Sequence, residues 1–273
     1  HRIINVAKYF KDCNFTGMDI SKNSLLIANE LKNKEKIENI NFIEKNILDN
    51  STEIEKFDVV LCMGVLHHLS DPRKGLQILS KMLNKDGMVF LYVYGKLGGH
   101  KRMLNKELIS IMLGKNKTDY ETGIKLVRDM GLNKFDYGWN LKCENIEEEN
   151  SLIVDSLLHI NETLYDSKTI YDLFKKSGLF GYVIFGISVD TNGLLFDIGS
   201  KNNEKLPIPQ TNISKKLNSK SVLEKYELKN IREKYRILEL LYEPNGYTII
   251  GFTKEGYEKL TNERIKRNFI KID

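Results

Sequence analysis

Polar residues at the ends of apolar runs give this sequence its first candidates for chemistry. Asp19 lies near the end of the apolar run Phe15–Ile20, just before Ser21. At the end of a strand, its carboxylate can accept hydrogen bonds from both hydroxyls of a ribose. An Asp before a helix is also a common cap. The residue alone supports ligand binding and capping equally.

His67 and His68 follow the apolar run Phe57–Met63 and form the second candidate. Consecutive side chains of a helix point about 100 degrees apart, so this pair does not form a two-ligand metal face, and we predict no metal site. A neutral imidazole can accept a proton from an amine or a hydroxyl near pH 7. General-base chemistry and packing are equally supported for His67, whereas packing is favoured for His68.

Apolar runs separated by capping residues predict alternating strands and helices, which must position these side chains. The predicted strands are Phe15–Ile20, Ile40–Ile43, Phe57–Met63, Met88–Tyr94, Gly181–Ser188 and Gly246–Thr253. Ser21, Asp71 before Pro72, and Asp166 before Ser167 are predicted to cap helices. The alternation predicts an α/β fold with a doubly wound parallel sheet, whose ligands lie at the carboxyl ends of the strands.

Two details of this sheet are predicted more closely. Phe57–Met63 is almost entirely apolar, which predicts a strand buried on both faces. Gly87 is expected to end the helix that begins at Pro72, so that the next strand starts at Met88.

The stretch 95–165 breaks the alternation. It is mostly helical in pattern and too long for a simple connection, so we predict an inserted helical lid. The core then comprises residues 1–94, and residues 166–273 form its C-terminal part with a second insertion at about 189–245. The late strands are expected to complete the sheet.

Composition narrows the class of protein. Hydrophobic residues make up 41% of the 273 residues, and no apolar run or leader pattern suggests a membrane span or secretion. Cys13, Cys62 and Cys143 lack paired spacing and are expected to be reduced thiols in a cytoplasmic protein. The net charge of +5 allows a nucleic-acid partner, but the basic stretch Lys215–Arg236 has helical spacing, which favours a solvated helix face.

Four motifs together resemble the class I S-adenosylmethionine-dependent methyltransferases over residues 1 to about 94. They are Thr16-Gly-Met-Asp-Ile-Ser, Asn46-Ile-Leu-Asp, Val65-Leu-His-His and Leu83-Asn-Lys-Asp-Gly-Met. The resemblance implies a Rossmann-like core, S-adenosyl-L-methionine as cofactor, and methyl transfer of the EC 2.1.1 type.

The resemblance also implies which residues hold the cofactor. The assigned residues are Asp19, Ile20, Asn46, Ile47, Cys62, Met63 and Gly64. In the family, the acid at Asp19 holds the ribose, the turn at Asn46 and Ile47 receives the adenine, and the end of the strand at Cys62 lies along the methionine. The family often has Asp where this chain has Asn46, whose amide carbonyl can still accept a hydrogen bond.

The glycine-rich loop of the family is expected just before the first helix. His1 would follow its last glycine, so we expect a Gly-x-Gly-x-Gly segment directly upstream in a longer parent sequence.

Tyr94-Gly-Lys-Leu-Gly-Gly-His100 and the segment from Asp155 to Asp166 resemble a bacterial branch of the family with a long helical insertion after the fifth strand. His68, Tyr94, His100 and Tyr165 are expected to line the substrate site, and His159 of the second segment is a further candidate. A loop histidine is, however, more often merely exposed. For Tyr94, a position facing the sulfonium and ordinary packing are equally supported.

The expected acceptor is a protein side chain or a small metabolite. A non-catalytic module that binds S-adenosylmethionine and an RNA methyltransferase are the alternatives. A nicotinamide enzyme is opposed by the Val-Leu-His-His segment. The pair Tyr92 and Lys96 does not support it either, because on a strand these residues lie about 13 Å apart.

Overall fold

A computed structural model describes residues 2–49, 55–116, 118–133, 143, 145–159, 161–189, 192–200 and 206–272. Parts of both predicted insertions, namely residues 117, 134–142, 144, 160, 190–191 and 201–205, therefore lie outside the described residues. The chain divides into two compact units, residues 1–53 and residues 54–273. This division does not coincide with the predicted domain boundaries after residues 94 and 165, which stay predictions.

The first unit is a small α/β unit with a two-stranded parallel sheet. Its elements are α1 (Arg2–Tyr9), β1 (Phe15–Asp19), α2 (Lys22–Lys34) and β2 (Ile40–Glu44). Ser21 caps α2 as predicted, because its hydroxyl accepts the backbone N–H of Ser24. Ile4 and Ala7 of α1 pack with Ile40 in a small apolar core.

The second unit contains a six-stranded sheet. Its strands are β3 (Phe57–Met63), β4 (Leu83–Tyr94), β5 (Gly181–Val189), β6 (Asn192–Leu195), β7 (Gly246–Phe252) and β8 (Ile270–Lys271). The order is β3-β4-β7-β5-β6, and β8 pairs with β5. β3 and β4 are parallel, but β7 is antiparallel to both β4 and β5. The sheet is therefore mixed, because β7 begins beside Tyr94, the residue at which β4 ends.

Helices connect and flank this sheet. They are α3 (Pro72–Lys81), α4 (His100–Leu113), α5 (Tyr120–Asp129), α6 (Ile146–Ile153), α7 (Ser167–Phe174), α8 (Ile213–Lys216), α9 (Lys220–Glu227), α10 (Ile231–Tyr242), α11 (Lys254–Glu258) and α12 (Glu263–Arg267). The predicted caps are confirmed: the Asp71 side chain accepts the backbone N–H of Lys74, and Asp166 forms a reciprocal capping box with Thr169. None of the described helices combines the length and the apolar character that a bilayer span requires.

Two predicted details of the sheet are wrong. Gly87 does not end a helix: α3 ends at Lys81, and Gly87 lies within β4. β3 is not buried on both faces, since Val59 is 45% exposed and Leu61 is 43% exposed. The side chains of a strand alternate, and in β3, the first strand in the sheet order, only Val60 and Cys62 of the described residues are buried.

The described part of residues 95–165 is mostly helical, and its assignment as an insertion stays a prediction. α4, α5 and α6 pack around an apolar cluster that includes Ile109, Val127 and Ile153. α6 continues into a π-helical turn at Val154–Leu158. Wide turns of this kind are frequent at functional sites, where they redirect side chains and carbonyl groups. The role of this helical segment as a lid stays a prediction.

Candidate functional site

In the first unit, the predicted ribose and adenine residues lie at or just after the carboxyl ends of two paired strands. Asp19 and Glu44 are partners in the register of β1 and β2, and the Lys45 N–H donates to the Asp19 carbonyl (3.0 Å). The Asn46 side-chain oxygen accepts the backbone N–H of Leu48 (2.9 Å), which shapes the turn after β2. The sheet thus brings the turns that contain Asp19 and Asn46 together.

The Asp19 carboxylate is exposed and is not the helix cap. Its Oδ1 accepts the Ser21 N–H (2.8 Å), while the hydroxyl of Ser21 caps α2. Ile20 is 67% exposed beside it. The structure therefore removes capping as the reason for an acid at position 19 and places an exposed carboxylate next to an exposed apolar side chain.

In the second unit, the residues predicted to lie along the methionine end β3. Gly64 has a φ of +82°, a conformation that favours glycine, and its N–H donates to the Tyr92 carbonyl (3.1 Å). Burial raises the pKa of the Cys62 thiol to about 12. Cys62 is therefore protonated at neutral pH and acts as a small apolar side chain.

After β3, a 3₁₀ turn at Leu66–His68 places both predicted histidines among aromatic rings. The His67 ring lies 3.9 Å from that of Tyr94 and 4.2 Å from that of His68, measured between centroids. The His68 ring in turn lies 4.1 Å from that of His159. We call these four residues the histidine–tyrosine cluster.

Unsatisfied polar atoms concentrate in this cluster. Within the described part of the chain, four buried side-chain nitrogen or oxygen atoms lack a hydrogen-bond partner: Nδ1 and Nε2 of His67, Nε2 of His68, and the Tyr182 hydroxyl. An unpaired buried polar group costs about 1–3 kcal/mol, and such groups often mark a place where a ligand or water binds. Three of the four atoms belong to adjacent histidines, which makes the cluster the main candidate site of this unit.

His67 is fully buried, which limits the chemistry it can do. Burial, reinforced by the neighbouring His68, lowers its pKa to about 3. The ring is therefore neutral at pH 7 and a poor proton acceptor. This environment argues against the general-base role that the sequence suggested for His67.

His68 is held differently. Its Nδ1 lies 3.1 Å from the Asn161 carbonyl, and its Nε2 lies 3.7 Å from Oδ1 of Asp155. The Tyr94 hydroxyl donates to the other carboxylate oxygen of Asp155 (3.2 Å). A carboxylate from the π-helical turn is thus held between the predicted residues His68 and Tyr94.

A buried ion-pair network supports this arrangement. The side chain of Glu162 is 1% exposed. Its carboxylate accepts hydrogen bonds from both terminal nitrogens of Arg102 and from Nζ of Lys106, the last over 2.5 Å. Burial alone would raise the pKa of Glu162, but its hydrogen bonds with the two cations hold that pKa below its usual range. Arg102 also donates to the Ser156 carbonyl (2.9 Å) and lies 4.9 Å from the centroid of the Tyr94 ring. The network ties α4 to the π-helical turn and to the segment that follows it.

The remaining predicted substrate-lining residues fall in different places. Tyr165 is buried, its N–H donates to the Tyr94 carbonyl (2.9 Å), and burial raises the pKa of its hydroxyl. His100 is exposed at the first residue of α4, and the described contacts of the histidine–tyrosine cluster do not include it. Among the described residues, no group of three or more His, Cys, Asp or Glu side chains is placed to hold a metal ion.

Sequence reasoning missed four residues that hold the cluster in place: Arg102, Lys106, Asp155 and Glu162. Arg102 and Lys106 are spaced four apart on a helix, which puts them on one face. That spacing was a usable signal, but charged residues on a helix are usually a solvated face, and their partner Glu162 lies more than 50 residues along the chain.

Comparison with known proteins finds similarity over parts of the chain. Residues 2–89 match the sequence model of a family described as "Methyltransferase domain". An uncharacterized protein of Synechococcus sp. is 29% identical over 173 residues, which cover 60% of this chain and 41% of that protein. A tRNA U34 carboxymethyltransferase of Campylobacter lari is 58% identical over 36 residues, 13% of this chain and 12% of that protein.

A solved structure shows the fold. PKMT2 from Rickettsia typhi aligns with a TM-score of 0.57 and 17% identity, covering 92% of this chain and 47% of that protein, which has also been solved in complex with AdoHcy. The predicted Rossmann-like α/β class is thereby confirmed. Residues 2–89 are therefore similar to a methyltransferase domain. The chain spans less than half the length of the first curated relatives it matches.

Proposed function

We propose that this chain binds S-adenosyl-L-methionine and transfers its methyl group to a protein side chain or a small metabolite. The match of residues 2–89 to a methyltransferase domain carries this proposal. The AdoHcy complex of the Rickettsia typhi protein supports the choice of cofactor.

The residues assigned to the cofactor fit that role in each unit. In residues 1–53, the exposed Asp19 carboxylate can accept the ribose hydroxyls, while Ile20 and the turn at Asn46 and Ile47 offer apolar and amide contacts to the adenine. In residues 54–273, the end of β3 at Met63 and Gly64 has the tight turn that a close backbone approach requires. When bound, the cofactor supplies an electrophilic methyl carbon on a sulfonium.

Methyl transfer depends mainly on position and on exclusion of water. The two buried, unsatisfied nitrogens of His67 are suited to bind a polar atom of the acceptor. Arg102 already places a cation over the Tyr94 ring. We therefore favour a role for Tyr94 in orienting Asp155 over direct contact with the sulfonium.

Calorimetric titration of the full-length protein tests cofactor binding. S-adenosylmethionine and S-adenosylhomocysteine are expected to bind and NAD is not. Asp19→Ala is expected to weaken binding at least about tenfold, since a hydrogen bond to a charged group contributes about 1.5–3 kcal/mol. Asp12→Ala, an exposed acid of the same unit, is the matched control. Binding of NAD in place of S-adenosylmethionine, or equal effects of both substitutions, would contradict the assignment.

Transfer of a labelled methyl group into fractionated cell extract tests the acceptor. Label in the protein or small-molecule fraction supports the proposal. The match to a tRNA-modifying relative, though short, makes RNA the second candidate. Label lost on ribonuclease treatment would favour it, and binding without transfer to any fraction would favour a non-catalytic module.

A further inference from the structure

We propose that Asp155 and His68 form a proton-accepting pair, which takes up the proton that the methyl acceptor releases. The inference rests on the proposed methyl transfer and narrows its substrate to an acceptor whose nitrogen or oxygen nucleophile carries a proton.

The hydrogen bonds of His68 determine which ring nitrogen carries its proton. Nδ1 of His68 and Nδ1 of His159 both face the Asn161 carbonyl, at 3.1 and 2.9 Å. A carbonyl oxygen only accepts hydrogen bonds, so both Nδ1 atoms are donors. A neutral imidazole holds one ring proton, and Nε2 of His68 therefore carries a lone pair.

This lone pair faces an anion. Nε2 of His68 lies 3.7 Å from Oδ1 of Asp155, and it is buried without a hydrogen-bond partner among the described residues. The lone pair of Nε2 and the carboxylate oxygen are both hydrogen-bond acceptors, so they form no hydrogen bond with each other while His68 is neutral. One added proton converts them into a charge-assisted pair, so the structure contains a position that is stabilised by receiving a proton.

The surrounding charges leave this role to Asp155. Glu162 is engaged by Arg102 and Lys106, whereas the described partners of Asp155 are the Tyr94 hydroxyl and His68. Burial lowers the pKa of both the His67 and the His159 rings, which favours their neutral forms.

Exposure indicates the route of the proton. The Asp155 side chain is 45% exposed and that of His68 is 12% exposed, so the carboxylate is the member of the pair that can meet an acceptor. The Tyr94 hydroxyl donates a hydrogen bond to Oδ2 of Asp155 and so orients the carboxylate.

The step balances as follows. The nitrogen or oxygen of the acceptor forms a bond to the methyl carbon while the carbon–sulfur bond breaks and its electron pair stays on sulfur. The proton of the acceptor passes to the Asp155 carboxylate and from there to Nε2 of His68. Solvent removes it after the product has left.

Nuclear magnetic resonance of the protein with ¹⁵N-labelled histidine tests the premise without any substrate. In its neutral form, reached by raising the pH, the His68 ring is expected to carry its proton on Nδ1. A ring protonated on Nε2 would overturn the proposal, because that atom would then have no lone pair to receive a proton. The His68 signal is assigned by its loss in His68→Gln.

Asp155→Asn tests the role in transfer. It is expected to slow label transfer about 100-fold through kcat, with KM and S-adenosylmethionine binding unchanged, and the deficit should shrink as the pH rises and the acceptor loses its proton without help. Asp172→Asn on α7 is the control, since its side chain is 41% exposed and belongs to no site described above. Unchanged transfer by Asp155→Asn would overturn the proton-accepting pair alone. Absence of transfer by the unmodified protein, by contrast, would contradict the proposed function.

Discussion

Replacing the buried His67 with phenylalanine is expected to remove a large part of the acid sensitivity of this fold. The pKa of His67 is lowered from 6.5 to about 3, chiefly by burial. Between these two values the ring is neutral in the native state and protonated in the unfolded chain. Unfolding therefore takes up a proton, and the stabilisation that is present above pH 6.5 is lost as the pH falls.

The size of this effect follows from the shift. One pKa unit corresponds to about 1.4 kcal/mol, so the free energy of unfolding should fall by about 1.4 kcal/mol for each pH unit below 6.5 on account of His67. At pH 5 the native state has then lost about 2 kcal/mol, a large share of the stability of an ordinary domain.

Urea unfolding of the wild type and His67→Phe at pH 5, 6, 7 and 8 measures this slope directly. Above about pH 6.5 the substitution is expected to change the stability by a constant amount, and between pH 5 and 6.5 it is expected to flatten the dependence of the stability on pH. His100→Gln, at an exposed histidine, is the control for losing one imidazole. Equal slopes for the wild type and His67→Phe would refute the reasoning, since His67 would then titrate alike in the folded and unfolded states.

Two further predictions concern stability and are checked by urea or thermal unfolding. Glu162→Ala leaves two largely buried cations without their carboxylate and is expected to cost about 3–5 kcal/mol, whereas Glu263→Ala, at an exposed ion pair, should change little. Gly95→Ala places a Cβ against the carbonyl of Pro244 and is expected to cost about 1–3 kcal/mol; Gly193→Ala, where a Cβ meets nothing within 4 Å, is its control. Equal losses within either pair of variants would contradict the contact that the structure shows.

Short-range signals predicted most elements of the fold. A cap is made within a few residues of chain, and the caps at Ser21, Asp71 and Asp166 all form as the sequence indicated. The apolar runs likewise predicted β1 to β5 and β7, although β4 begins five residues before its predicted start. The short β6 and β8 were missed, since neither forms a long apolar run.

Long-range pairing was not predictable in the same way. The sequence predicts the strand at Gly246–Phe252 but not its antiparallel direction. That direction depends on the position of its first residue, Gly246, beside the last residue of β4, and this contact is set by the tertiary fold. The sequence predicted that β3 is buried on both faces, but the structure buries only one. Burial of a strand depends on the elements packed against it, and the apolar residues of the strand do not specify those elements.

The sequence by itself predicted the class of this protein and the residues that would hold the cofactor, because Asp19 ends a strand, and Asn46 and Gly64 follow strands, that local patterning reveals. It also singled out His67 and His68. Only the tertiary structure decided how these two histidines differ: His67 is fully buried and neutral, while His68 faces Asp155. The low pKa of His67 results mainly from burial, and burial is set by packing between distant parts of the chain, which no local pattern encodes.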